Sequence, residues 1–305
     1  MKILVTGGLG FVGGHLIREL RRRDHDVWFS GVAHQADAKY LRCDVSEYRQ
    51  LAQIFEKHRF DCVYHLAAEF GRWNGEDFYE TLWKSNAIGN KHMIRLQEKY
   101  RHRMIFFSSS EVYGDWDGVM SEDVMDKHEI RQLNDYAISK WVGEQQILNS
   151  AQAFGTETVR VRLFNFYGPG EPPSIYRSAL CRFIHAALLD QPYTVYGDHT
   201  RSWLYIDDGV QALANICERF KPGEVYNIAT PESVTMKDLS DVILRLCGKS
   251  DRLVTYKPSE AMTTRHKRVD NSKAARDLGL AASTSIEEGL RRTIEWMRSV
   301  YLKAR

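Results

Sequence analysis

Apolar runs closed by glycine alternate with stretches of helical period through the first half of the chain. "KILVTGG" is one continuous apolar run, the pattern of a strand buried on both faces in a parallel sheet. In "GLGFVGGHLIRELRRR" Leu16, Ile17 and Leu20 then recur at helical spacing. "HDVWFSG" and "KYLRCDV" predict two further strands, residues 47 to 58 a helix, and "FDCVYHLAA" another strand. Residues 78 to 99 predict a long helix and "RMIFFSS" a strand. This alternation argues for an α/β fold, a Rossmann-type doubly wound parallel sheet. Asp44, His65 to Ala68 and Ser108 to Glu111 follow strand ends, so they fall on the sheet edge where ligands bind in such folds.

Proline and glycine cluster in "GPGEPPS" after Tyr167, marking an exit from the sheet. A helix near 175 to 189 follows, and "WLYIDDGVQALANI" returns a strand and a helix. Residues 223 to 305 mix short strands with helices and end in the amphipathic "IEEGLRRTIEWMRSVY". The division expected is a dinucleotide-binding domain of residues 1–165 plus 200–222 and a smaller discontinuous α/β substrate domain of residues 166–199 plus 223–305. The active site should lie in the cleft between them.

Charge is nearly balanced, 42 Lys and Arg against 40 Asp and Glu in 305 residues, which gives no reason to propose a nucleic-acid partner. The five cysteines are odd in number and widely spaced, without a CxxC pair; a disulfide framework or a zinc site is not expected. His65, His185 and His199 lack metal-ligand spacing, so no metal is expected. No stretch approaches the ~20 apolar residues of a membrane span, and "MKILVTGG" does not read as a signal peptide. The expectation is a soluble, cytoplasmic protein with no membrane partner.

Gly8, Gly10 and Gly13 stand in GxGxxG order between a strand and a helix, the context of a dinucleotide fingerprint. Glycine there lets backbone approach a pyrophosphate at a helix N-terminus. The next strand ends in Ser30-Gly31 instead of the acidic residue that grips the ribose of NAD. No arginine follows at once to bind a 2′-phosphate, so NAD and NADP both stay open as cofactor. Tyr136 and Lys140, in "NDYAISKWVGE", share one helix face. A nearby ammonium stabilises phenolate and should lower the tyrosine pKa, making it an acid/base near neutral pH.

With "TGGLGFVGGHL", "HLAA", "SSSEVYG", "YAISK", "RLFNFYGPGE", "RSWLYIDD", "YNIA" and "RVDNSKAARDLGL" in order, nearly the whole chain resembles the extended short-chain dehydrogenase/reductase family of nucleotide-sugar epimerases and dehydratases. The resemblance implies that Tyr136 is the catalytic base toward a sugar hydroxyl, tuned by Lys140, with Ser109 hydrogen-bonded to the same oxygen. It places Gly7, Gly10, Phe11, Val12 and Gly13 on the cofactor, Asp44 and Val45 by the adenine, and Ala67 by the pyrophosphate and ribose with Leu66 and Ala68 alongside. Arg72, Asn86, Ser110, Asn165, Arg201 and Arg268 become substrate-binding candidates, Asn165 and Arg201 toward the diphosphate. It also implies a homodimer that packs the helices near 78–99 and 136–153 across a two-fold axis.

The implied activity passes through a transient 4-keto sugar on a nucleotide-diphospho-sugar. Glu111 stands where GDP-mannose 4,6-dehydratases carry their glutamate, so it becomes a fourth catalytic candidate, acting at C5. A 4,6-dehydratase or a 4-epimerase leads. A UDP-glucuronate decarboxylase-like enzyme, an NADPH-dependent keto-sugar reductase and a non-catalytic nucleotide-binding member of the fold are the alternatives.

Overall fold

A computed structural model describes residues 1–302. The first half follows the predicted alternation: β1 (Lys2–Thr6), α1 (Phe11–Arg22), β2 (Asp26–Gly31), β3 (Tyr40–Arg42), α2 (Tyr48–Lys57) and β4 (Cys62–His65). A short helix α3 (Arg72–Asp77) comes next. The long helix expected over 78–99 is present as α4 (Tyr79–Trp83), a π-helical stretch (Lys84–Gly89) and α5 (Asn90–Tyr100). Then come β5 (Arg103–Ser109), β6 (Val119–Met120), α6 (Val124–Lys127), α7 (Asp135–Phe154), β7 (Thr158–Leu163) and β8 (Asn165–Tyr167). The rest comprises α8 (Ala179–Leu188), β9 (Tyr193–Tyr196), β10 (Thr200–Arg201), β11 (Trp203–Tyr205), α9 (Ile206–Glu218), β12 (Val225–Ile228), β13 (Val234–Thr235), α10 (Met236–Cys247), β14 (Val254–Lys257), β15 (Arg268–Val269), α11 (Ser272–Leu278) and α12 (Ile286–Tyr301).

Seven strands form one parallel sheet in the order β12-β7-β5-β4-β1-β2-β3. Alternation along β1 divides the core. Ile3 and Val5 join Leu16, Leu20 and Leu213 of α1 and α9 on one face, and Leu4 joins Leu51, Phe55, Met93 and Ile94 of α2 and α5 on the other. Strand order reverses between β4 and β1, so the crevice outside their carboxyl ends is open to a ligand. Four two-stranded sheets lie outside the main one, three of them pairing distant segments of the second half: β10 with β13, β11 with β8 and β14 with β9. β15 pairs with β6, which ties residues near 268 to the loop after β5.

One expected boundary is corrected. β12 is the outer strand of the main sheet, paired with β7, so residues 225–228 belong to the dinucleotide-binding half, not to the segment expected to begin at 223. The side chains of β7 would otherwise lack a neighbour along that edge, and α11 packs on β12 and α9 to cover it.

A buried charge cluster fixes α7 against this sheet. Glu144 is fully buried. It accepts from Ser108 Oγ at 2.6 Å, Arg162 Nε at 3.0 Å, Arg162 Nη2 at 2.9 Å and Arg160 Nη1 at 3.0 Å. Arg162 Nη1 donates onward to the Tyr113 hydroxyl at 3.0 Å, which donates to Asn227 of β12 at 2.7 Å. Burial alone would raise the Glu144 carboxyl, but Arg162 and Arg160 hold it below its ordinary value. Removing one partner of such a pair leaves an uncompensated charge. Glu144→Gln should therefore lower unfolding free energy by about 3–5 kcal/mol in urea titrations; a loss below about 1 kcal/mol, the level of a surface pair, would contradict the assignment.

Candidate active site

The carboxyl ends of β1, β2, β4 and β5 open into one cleft of about 700 Å³. Its floor is glycine backbone. Gly7 has φ +69°, and a Cβ there would lie 2.8 Å from Ala67 N; a Cβ on Gly13 would lie 2.5 Å from the Gly7 carbonyl oxygen. Gly8 is a packing glycine, its missing Cβ 2.8 Å from Ile17 and Phe29 atoms. α1 starts at Gly10 with no side-chain cap and no acidic residue in its first turn, so its N–H groups and dipole face the cleft uncompensated. Gly7, Gly10, Phe11, Val12, Gly13, Asp44, Val45, Leu66, Ala67, Ala68, Tyr136 and Lys140 all line this space. The cradle a Cβ would fill and the open helix terminus fit a dinucleotide pyrophosphate.

Thr6 and His65 sit beneath it. The Thr6 hydroxyl lies 2.8 Å from His65 Nδ1 and accepts from Ala67 N at 3.1 Å, and burial pulls His65 down to about 3. The histidine is thus a neutral structural group. Asp44 does not cap α2, whose N-cap is Glu47; it accepts from Ser46 N at 2.9 Å and lines the cleft.

The three serines that end β5 diverge. Ser108 serves Glu144, as described. Ser109 accepts from Glu111 N at 3.2 Å and its hydroxyl faces the Tyr136 phenol. Ser110 lies 3.3 Å from Lys267 Nζ, which donates to it. Tyr136 and Lys140 share the buried face of α7, which Asn134 caps by accepting from Ala137 N at 2.8 Å.

The expected effect of Lys140 on Tyr136 is not seen. Burial pushes the phenol well above its ordinary range, with Ser109 opposing and Glu111 adding to the rise. The Lys140 ammonium instead donates to the Phe107 carbonyl at 2.8 Å and stands 5.9 Å from the Tyr136 ring centroid. Burial lowers Lys140 to about 8. Tyr136 is a neutral phenol in this state, with a lysine beside it that gives up its proton unusually easily.

Glu111 faces the cleft at the turn after Ser109. Lys267 Nζ donates to its Oε1 at 2.5 Å and Asn134 Nδ2 to its Oε2 at 3.4 Å. Burial would raise this carboxyl, but Lys267, with Arg72 and Arg201, holds it at about 2. Lys267, 1% exposed at its side chain, is a residue that sequence reasoning missed. Arg268 was expected in the site; it is exposed and donates to the Asp117 carbonyl. Alternation along β15 explains the exchange, because residues 267 and 269 share one face and 268 takes the other. Buried Val269 was the available signal.

Asn86 is also corrected. It is buried behind the cleft, donating to Ser139 Oγ and the Glu69 carbonyl and accepting from Glu69 N. Its amide is spent fixing the Glu69 backbone, whose residue lines the cleft. Arg72 bridges the mouth, donating to Glu260 Oε2 at 2.8 Å and the Ala261 carbonyl at 2.9 Å. Asn165, Ser110 and Arg201 line the cleft as expected. Arg201 is 8% exposed. It donates to the carbonyls of Thr200 and Arg265 and to Thr263 Oγ1, with no carboxylate in ion-pair contact among the described residues. Arg182 of α8 is a second missed residue: it lines the cleft, and its buried Nε has no partner. Two arginines without counter-ions suit a phosphate-bearing ligand.

The family model described as the NAD dependent epimerase/dehydratase family matches residues 3–229. The chain is 29% identical to a UDP-N-acetyl-alpha-D-glucosaminuronate decarboxylase of Bacillus cytotoxicus, covering 98% of both chains. It is 26% identical to a dTDP-glucose 4,6-dehydratase of Salmonella typhimurium, over 97% of this chain and 92% of that one. Among solved structures it resembles the UDP-glucuronic acid 4-epimerase of Bacillus cereus in complex with UDP-glucuronic acid and NAD, with TM-score 0.85, 26% identity, and coverage of 99% and 100%.

A carboxyl held at about 2 against 4.5 ordinarily adds stability above pH 4.5 and loses it as pH falls toward 2. Lys267→Met should remove this part of the acid limb. Urea midpoints taken between pH 6 and pH 2 should fall less steeply in the variant than in the wild type; parallel curves would show that Lys267 does not hold Glu111 ionised.

Proposed function

The chain belongs to the NAD-dependent epimerase/dehydratase family, and on that premise we propose that it oxidises a nucleotide-diphospho-sugar transiently at C4 and then acts on the 4-keto sugar as a 4,6-dehydratase. The nicotinamide cofactor, when bound, takes up and returns the hydride. The carrying observation is the convergence of Ser109, Tyr136 and Glu111 on one cleft that also holds the counter-ion-free Arg201.

Each residue has a distinct task in this reading. Arg201, with Arg182 and Asn165, receives the diphosphate, whose charge replaces the water a buried guanidinium has lost. Ser109 and Tyr136 bracket the C4 hydroxyl, the phenol taking its proton while the serine hydroxyl favours the phenolate. Lys140, near 8, supplies the positive charge that phenolate needs. Glu111 is ionised at neutral pH, as a base must be, and takes the proton that the C4 ketone acidifies at C5. Ser110 and Arg72 flank the sugar.

A second reading, a 4-epimerase, is favoured by Lys267. A carboxylate held at about 2 is a weak base, and hydride return to the other face of C4 needs no base at C5. A panel of UDP-, GDP-, CDP- and dTDP-sugars, with products read by mass, tests the proposal. Loss of water supports the dehydratase. No mass change supports the epimerase, and loss of carbon dioxide a decarboxylase. Tyr136→Phe should abolish turnover with cofactor still bound. Glu111→Gln should slow the C5 step by roughly a hundredfold, read as solvent deuterium entering C5. Normal turnover in Glu111→Gln with no deuterium at C5 would overturn the dehydratase reading.

We also propose a homodimer. Tyr79, Ile88, Ile138 and Leu148 are exposed large apolar side chains on α4, the π-helical stretch and α7, the helices expected to pair across a two-fold axis. Covering them in a second copy removes that apolar surface from water. Sedimentation at micromolar concentration should give twice the 35.3 kDa chain mass; a monomer would refute it.

A further inference from the structure

The corner of the cleft beyond the glycine cradle, where the adenosine ribose of a dinucleotide falls, carries no carboxylate at the end of β2. The strand closes in Ser30-Gly31, where an acidic side chain ordinarily grips the ribose hydroxyls of NAD. The space such a side chain would need is taken. A Cβ on Gly31 would lie 3.1 Å from Leu9 Cδ1 and 3.2 Å from Leu9 Cγ. Leu9, Gly31, Val32 and Ala33 line the cleft here.

What stands opposite Gly31 is a cation. β2 and β3 run parallel with Gly31 in register with Arg42. Arg42 is eleven positions downstream, so the strand pairing supplies an arginine that local sequence does not. Its Nε donates to the Val32 carbonyl at 3.0 Å, and its Nη1 lies 3.0 Å from His34 Nε2. Arg42 is exposed at the rim and its Nη2 makes no hydrogen bond among the described residues. Tyr40 holds the same segment from behind, its hydroxyl on the carbonyls of Gly31 (2.7 Å) and Ala33. The acidic residues of this stretch are engaged elsewhere: Asp37 with Arg21 and Lys39 N, and Asp44 with Ser46 N.

We propose that this corner takes the 2′-phosphate of NADP(H), with Arg42 as its principal partner and His34 beside it, so that the chain prefers NADP(H) to NAD(H). An aspartate would repel the phosphate; Gly31 with Leu9 removes that repulsion, and the guanidinium fork offers directed N–H groups to phosphate oxygens. The inference rests on the assignment of the cleft to a dinucleotide and is independent of the sugar chemistry.

Calorimetric titration of the cofactor-stripped protein with NADP⁺ and NAD⁺, without any sugar, tests it. NADP⁺ should bind about tenfold or more tightly than NAD⁺, the worth of one charge-assisted contact. Arg42→Ala should abolish that difference by weakening NADP⁺ alone, and Arg42→Lys should restore part of it. Leu9→Ala with Gly31→Asp should turn the preference toward NAD⁺. NAD⁺ binding as tightly as NADP⁺ to the wild type would overturn the proposal, as would an Arg42→Ala variant that loses both cofactors equally. Failure of the sugar panel would leave these titrations unaffected, so the two readings fail separately.

Discussion

Glu144 holds the arrangement on which the cleft depends. It is a fully buried carboxylate on the helix that carries Tyr136 and Lys140, and it is bound by Ser108 of β5 and by Arg160 and Arg162 of β7. An ion pair at this depth contributes little net stability against an apolar replacement, because desolvation of both charges offsets the attraction. What it specifies is registry. α7 can slide or rotate over the sheet only by breaking charge-assisted bonds to two different strands. Ser108 is the neighbour of Ser109, so the same contacts that fix the helix fix the distance between the serine and the tyrosine.

The charges of the cleft follow a different rule. Lys267 and Glu111 are paired, Arg72 and Glu260 are paired, and Arg201 and Arg182 are not. Carbonyls and a hydroxyl partly satisfy Arg201, yet its guanidinium charge has no neutralising neighbour in contact. Burial of such a group costs free energy in the empty protein, and burial lowers its pKa. A site that must bind a diphosphate gains by leaving this charge open, since the ligand supplies the missing anion. The paired residues keep their partners and shape the sugar end instead.

Much of this was legible in the sequence because period and local motif carry it. The alternation of strands and helices, the glycines between β1 and α1, and the i, i+4 spacing of Tyr136 and Lys140 are all properties of short segments. What was not legible depends on strand pairing between distant segments. Arg42 stands opposite Gly31 only because β3 lies in register with β2. Lys267 reaches Glu111 only because β15 pairs with β6 after the turn that follows β5, and the choice of Lys267 over Arg268 turns on a single step of strand phase. Asn86 failed for another reason. Its amide chemistry suits a sugar hydroxyl and a backbone peptide equally, and only burial distinguishes the two. The strand 225–228 was misassigned because a four-residue edge strand carries too short a pattern to reveal which sheet it joins.

The position of Lys140 shows how far the empty site is from the reacting one. A lysine four residues after a tyrosine suggests a permanently acidified phenol, but here the ammonium rests on the Phe107 carbonyl and the phenol is neutral. Both groups are buried, and each pays for charge alone. Burial that raises the tyrosine and lowers the lysine brings their proton affinities toward each other, so little separates the phenol–ammonium state from states with the proton moved. Coupling then passes to whatever enters the cleft. A hydroxyl placed between Ser109 and Tyr136 adds a hydrogen bond that a phenolate accepts more strongly than a phenol does. The tyrosine is therefore held ready as an acid/base by ligand contact, and the fixed registry of α7 over β5 lets a single well-placed hydroxyl tip that balance.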